Sequence, residues 1–252
     1  MNLLFVAFSL FGLGALLSAV PGRSADKTAT FLGSGSAILG CLFGLLAAGQ
    51  GLFASGAEVF FLPLSLPGGA FSLRLDGLSA FFLLPLFVVG LVGALYGAEY
   101  MRGGKERLRP GLHWTWYNLL VLSMALVVTA ANGLLFLFAW ECMSLTSFFL
   151  VITEYELAEV MEAGWTYLLA THLGAAFLFA FFLTASTLSG SLEFASFQVL
   201  GQVSAPIASA LFLLLLVGFG SKAGIFPFHV WLPDAHPAAP SHVSDLMSGV
   251  MV

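Results

Sequence analysis

The chain has 252 residues, of which 60 % are apolar and only 8 % charged. Soluble domains carry roughly 25 % charged residues, so a water-soluble globule is excluded. Intrinsic disorder is excluded too, since it needs the opposite bias, and eight Lys and Arg against thirteen Asp and Glu leave no basic patch for nucleic acid.

The charges are spaced so that long stretches lack them: 3–22, 28–57, 77–98, 110–140, 163–192 and 194–221. About 20 apolar residues span a bilayer core of about 30 Å. The run through 110–153 is broken only by Glu141 and is long enough for two spans, with Asn132-Gly133 as the turn. The predicted helices are therefore 3–20, 29–53, 77–97, 114–131, 133–153, 164–187 and 205–228, and an eighth begins near Ser241. Unbroken runs of this length argue against barrel strands, which alternate over about ten residues. The expected fold class is all-α: a polytopic transmembrane bundle of seven to eight spans.

The first segment has no basic stretch before it, and its first charge, Arg23, follows it. That is the reverse of a secretory signal, so a retained span is expected. Arg23 and Lys27 follow span one, and Arg102, Lys105, Arg107 and Arg109 follow span three. With serial helices these six face one side, which the positive-inside rule makes cytoplasmic and the N-terminus external. Segment 58–76 holds two short runs, Val59–Leu62 and Ala70–Leu75, separated by Pro63, Pro67 and Gly68-Gly69. It reads as an external β-hairpin. Segment 154–162, with Glu154, Glu156, Glu159 and Glu162, faces the cytoplasm and reads as a short solvated helix start or, more plainly, a wet acidic loop.

Charged side chains at the membrane centre cost at least about 2.5–3.5 kcal/mol and persist where a bundle interior or wet cavity receives them. Glu141 lies about 12 Å along the fifth span at 1.5 Å per residue. Lys222 lies in the seventh span among Gly218, Gly220, Gly224 and Pro227, a setting for a broken helix, and broken helices at membrane depth line cavities. Two readings stay open for this pair. It is helix glue, or it is a switch in which separation from the carboxylate lets the lysine give up its proton. His172 in the sixth span is either a packing residue or part of a proton relay. His229 falls two turns after Lys222, on the same face if the helix continues past Pro227. Asp234, His236 and His242 belong to the Pro-rich connection after span seven, read as a solvated loop or a proton inlet. Cys41 and Cys142 sit in apolar runs without CxxC spacing and read as buried small hydrophobes. With no HExxH, phosphate-binding loop or dinucleotide fingerprint, the chain is expected to hold no metal or cofactor of its own.

Phe138-Ala-Trp-Glu-Cys-Met-Ser-Leu-Thr-Ser147 resembles the fifth-helix motif of the antiporter-like subunits of respiratory complex I and related complexes. Gly220-Ser-Lys-Ala-Gly-Ile-Phe-Pro-Phe-His-Val-Trp-Leu-Pro-Asp-Ala-His-Pro237 is similar to the seventh-helix signature of that family. Leu73-Arg-Leu-Asp-Gly-Leu-Ser79 matches the lead into its third helix, and the run from Pro240 to Val252 is similar to the start of its eighth. The wording leans toward the large membrane subunit of formate hydrogenlyase and hydrogenase-4-type complexes.

The resemblance implies a fold of about fourteen helices with two inverted five-helix repeats, of which this chain covers the N-terminal half: 1–110 as the leading helices and hairpin, 111–252 as the first repeat with its last helix incomplete. It implies proton translocation coupled to a redox partner, with Glu141 and Lys222 as the central pair and His172, His229, Asp234 and His236 as further proton-transfer candidates. It also implies residence in a bacterial or archaeal inner membrane. The implied partners are other membrane subunits, a chain supplying the second half, and a peripheral arm carrying iron–sulfur clusters with nickel–iron or a quinone site. Alternatives are a sodium/proton antiporter subunit and a non-conducting half of a split or truncated subunit. Two positions depart from the family pattern: Asp245 stands where a small apolar residue is usual, and Ser248 where some relatives carry histidine.

Overall fold

A computed structural model of the chain describes residues 1–19, 26–63, 70–102 and 109–252. Among them are seven helices long and apolar enough to cross a membrane: α1 (Asn2–Ala19), α2 (Asp26–Phe53), α3 (Gly77–Arg102), α4 (Pro110–Thr129), α5 (Gly133–Val151), α6 (Ala158–Ser189) and α7 (Ala205–Lys222). Two short helices follow, α8 (Leu232–Ala238) and α9 (Ser241–Leu246). In a bilayer every backbone N–H and C=O needs an internal partner, and a helix meets that demand within one segment. Large side chains such as Phe81, Leu95, Leu169, Leu183 and Phe212 face outward, as lipid contact requires.

The predicted hairpin is present. Strands β1 (Glu58–Pro63) and β2 (Ala70–Leu75) pair antiparallel, Phe60 opposite Leu73; its turn at Pro67 and Gly68-Gly69 lies outside the described residues, as do Arg23, Lys105 and Arg107. The hairpin gathers one face of the bundle. The Met1 amino group pairs with Glu58, Phe5 packs on Phe60 at 4.9 Å, and Leu73 bridges Ala130. Asn132, which caps α5 by accepting from the Leu134 N–H at 2.8 Å, also donates to Glu193 at 2.7 Å. The starts of α1, α3 and α5 and the ends of α4 and α6 therefore share this hairpin face. Arg109, Tyr155, the start of α6 and α8 lie at the far face.

Asp76 caps α3, accepting from the Ser79 N–H at 2.9 Å and pairing with Arg74 at 3.1 Å. The Ser79 N–H, then its hydroxyl and Arg74, hold the Asp76 carboxyl below the usual carboxylate range. The folded value thus lies under the unfolded one. The resulting stabilisation is present above roughly pH 4 and is lost as pH falls through the folded value. Replacing Asp76 with alanine is expected to cost about 1 kcal/mol, read as a lower unfolding midpoint in detergent at pH 7. Parent and Asp76→Asn chains should differ at pH 7 and converge in acid.

Several boundaries differ from the sequence expectation: α3 runs on to Arg102, α4 covers Pro110–Thr129 instead of 114–131, and α6 begins at Ala158 instead of 164. The segment 154–162 holds the expected helix start. A 3₁₀ turn (Ile152–Glu154) leads into α6, whose first two turns carry Glu159 and Glu162, where carboxylates complement the helix dipole. The stretch 233–240 is likewise mostly helical, as α8. The seventh helix stops at Lys222 instead of 228. Gly224 adopts φ +63°, and the Ile225 N–H returns to the Gly220 carbonyl at 3.0 Å. That is the closing bond of a left-handed helix terminus. His229 therefore does not share a helical face with Lys222.

Candidate functional site

The middle of the bundle is where α5, α6 and α7 meet. α6 and α7 approach closely because Gly174 and Gly218 face one another's helices. A Cβ on Gly174 would lie 1.7 Å from the Ser221 hydroxyl oxygen, and one on Gly218 would lie 2.5 Å from Leu178. Small residues at such seams are how helices pack in lipid. The approach delivers Lys222, the last residue of α7, into the interior.

Lys222 is 2 % exposed. Its ammonium donates to the Tyr167 hydroxyl of α6 at 2.6 Å and, at 3.4 Å, to the Ser144 hydroxyl of α5. Tyr167 is also joined to Ser147 at 2.5 Å. As the final residue of its helix, Lys222 sits at the negative end of the α7 dipole, which favours a cation. The helix end is tied from beyond the break: the Trp231 indole N–H donates to the Ser221 carbonyl at 2.8 Å. The same Trp231, fully buried, packs edge-on against Tyr167 at 5.0 Å.

Glu141 lies one turn before Ser144 on α5. Its carboxylate pairs with His172 Nε2 at 3.3 Å. The His172 side chain is 44 % exposed and that of Glu141 24 %, so this pair sits at the bundle rim while Lys222 is sealed inside. Among the described residues the two central charges are not in direct ion-pair contact, although Glu141 is near enough for its charge to act on Lys222. The structure thus brings Glu141 to His172, and Lys222 to Tyr167 and Ser144. These are two adjacent clusters instead of the single acid–base contact expected from the sequence.

The other candidates lie apart. His229 is exposed beside Phe226. Asp234 lines an open cleft of about 520 Å³ with Glu159 and Glu162 between α6 and α8. His236 stacks on Trp231 at 6.2 Å and contacts the Ser244 hydroxyl at 3.1 Å. Three residues that touch the lysine cluster escaped sequence reasoning: Tyr167, Ser144 and Trp231. Their signal was available. Ser144 and Ser147 follow Glu141 at three-residue spacing, which turns a polar stripe along one helix, and Trp231 lies within the quoted seventh-helix run. Among the described residues no cluster of three or more His, Cys, Asp or Glu could hold a metal.

Residues 130–252 match the family described as NADH:quinone oxidoreductase/Mrp antiporter, transmembrane. The chain belongs to the antiporter-like membrane subunits of the complex I-related family. It is 44 % identical over 183 residues to hydrogenase-4 component B of Escherichia coli, a match covering 72 % of this chain and 26 % of that protein. A putative antiporter subunit mnhA2 of Staphylococcus saprophyticus is 34 % identical, covering 71 % of this chain and 22 % of that one. This antiporter-like chain therefore spans about a quarter of the length of the curated relatives it resembles. Two solved structures share its fold. One is the Mrp complex from Dietzia sp. DQ12-45-1b, at TM-score 0.83 and 23 % identity, covering 99 % of this chain and 27 % of that chain. The other is the membrane-bound sulfane sulfur reductase, an archaeal respiratory membrane complex, at TM-score 0.81 and 23 % identity, covering 99 % and 39 %. The chain is a multi-pass membrane protein.

Proposed function

We propose that this chain translocates protons as a membrane subunit of a redox-driven complex of hydrogenase or quinone-reducing type. In this reading Lys222 is the central proton carrier and Glu141 its switchable counter-charge. The observation that carries the reading is Lys222 itself: a buried ammonium at a helix break, held by two hydroxyls, one of them Ser144, which lies one turn after Glu141 on α5. With Glu141 turned to His172, hydroxyls and not a carboxylate face the ammonium. Loss of the Lys222 proton leaves a neutral amine that Tyr167 and Ser144 still hydrogen-bond, so no buried donor or acceptor is orphaned. With Glu141 turned inward, the ammonium regains a counter-ion. A redox event in a partner that moves Glu141 between His172 and Lys222 then loads and unloads the lysine. Asp234, His236 and His229 lie toward the far face, where protons enter in this scheme.

The chemistry favours protons over sodium, because sodium wants several oxygen ligands and an ammonium offers none. Partner subunits supply the iron–sulfur, nickel–iron or quinone chemistry. A neighbouring membrane chain covers the exposed His172 edge, since an ionisable pair facing acyl tails is costly. The orientation follows the cationic residues, with the hairpin face and N-terminus external and the far face cytoplasmic, in a prokaryotic inner membrane.

The test is proton uptake into sodium-free vesicles carrying the whole complex, driven by its redox reaction. Replacing Glu141 with glutamine, which keeps shape and removes charge, is expected to lower uptake about tenfold or more while the complex stays assembled. Uptake at the parent rate overturns the reading, and uptake that requires sodium assigns the site to sodium/proton exchange.

A further inference from the structure

A second buried ionisable site lies away from the lysine, where α3, α4 and α9 meet. His113 of α4 and His242 of α9 touch through their Nε2 atoms at 2.8 Å. They are 3 % and 1 % exposed, and neither Nδ1 has a hydrogen-bond partner among the described residues. A neutral imidazole carries one N–H and one bare nitrogen. Two Nε2 atoms at hydrogen-bond distance therefore require opposite tautomers: one ring donates through Nε2–H and has a bare Nδ1, while the other accepts at Nε2 and carries Nδ1–H.

The surroundings of the pair are largely aromatic. Tyr96 and Tyr100 of α3 lie 6.1 and 5.5 Å from the His242 ring. Tyr117 of α4 lies 6.0 Å from it, and Trp114 lies 5.5 Å from His113. Gly93 and Gly97 of α3 make the room. A Cβ on Gly97 would come within 2.9 Å of the His242 ring, and one on Gly93 would come within 2.6 Å of the Tyr117 hydroxyl oxygen. The other titratable groups nearby are Cys41 of α2, beyond Tyr117; Glu99 of α3 and Asp245 of α9, neighbours in sequence; His236 of α8, through Ser244; and Arg109. Arg109 donates to Tyr155 at 2.9 Å at the mouth of a cavity of about 110 Å³ that reaches His113 and Trp116.

We propose that His113 and His242 form a proton-sharing site, loaded from the far face through the cavity at Arg109 and Tyr155. A proton arriving at the bare Nδ1 of His113 makes it an imidazolium. Its Nε2 proton passes to Nε2 of His242, whose Nδ1 proton is taken up by a water molecule acting as the acceptor. One proton enters, one exits, and the two tautomers have exchanged. As an inlet this site rests on the proposed proton translocation; as a shared-proton pair it stands on its own geometry.

The experiment is nitrogen-15 solid-state NMR of the full chain in its complex in liposomes, with labelled histidine, alongside redox-driven proton uptake. The expected spectrum shows one Nδ1–H and one Nε2–H tautomer with scalar coupling across an N–H···N bond. The coupling should vanish in His113→Gln and in His242→Gln, and uptake should fall about tenfold in each. Two identical tautomers without coupling in the parent overturn the pair, whatever the variants do. Coupling present with uptake unchanged in both variants overturns the inlet. Coupling present when the parent itself takes up no protons upholds the pair and overturns its use as an inlet together with proton translocation.

Discussion

Replacing Lys222 with alanine is expected to reduce redox-driven proton uptake about 100-fold, the scale on which a positioned proton-transfer group contributes. The substitution removes the ammonium from its cluster and leaves a cavity, while the Tyr167 hydroxyl keeps its bond to Ser147. The informative companion is Lys222→Arg. A guanidinium keeps the positive charge and reaches hydroxyls, but does not deprotonate in proteins. If Lys222 carries protons, arginine fails as badly as alanine; if it only anchors α7 to α5 and α6, arginine restores much of the rate. Measuring both variants in the same vesicles, with assembly checked by copurification, separates carrier from anchor.

The second large effect is expected from Tyr167→Phe. Its hydroxyl accepts from Lys222 at 2.6 Å and is joined to Ser147 at 2.5 Å. A hydrogen bond to a charged group contributes about 1.5–3 kcal/mol, and about 1.4 kcal/mol is a factor of ten. Losing this one should therefore lower proton uptake about tenfold and lower the unfolding midpoint. The ring remains, so its edge-on contact with Trp231 is kept and the fold should survive. An unchanged rate shows that Ser144 alone suffices to hold the lysine.

The spans, the hairpin and the two central charges were legible in the sequence, because membrane insertion writes its demands in one dimension. Apolar length counts residues, and an intramembrane charge stands out against them. What was not legible was pairing. Glu141 has two basic side chains near it on different helices, and spacing along α5 does not say which one it faces; His172 competes with Lys222 only once α6 and α7 are packed. The end of α7 was placed six residues late because an apolar run continues through Ile225-Phe226, whereas the backbone turns at Gly224. His113 was passed over because a lone histidine near a helix start is unremarkable until a second one arrives from 129 residues downstream.

The bond from Trp231 to the Ser221 carbonyl has a mechanical meaning. It clamps the backbone that carries the lysine to the strand of chain beyond the break, and the crowding at Gly174 leaves that backbone no room to slide. A charge mounted on so stiff a post does not travel, so the proposed switch assigns the motion to the carboxylate at the bundle's edge. On that proposal transport is a fixed electrode approached and abandoned by a mobile one.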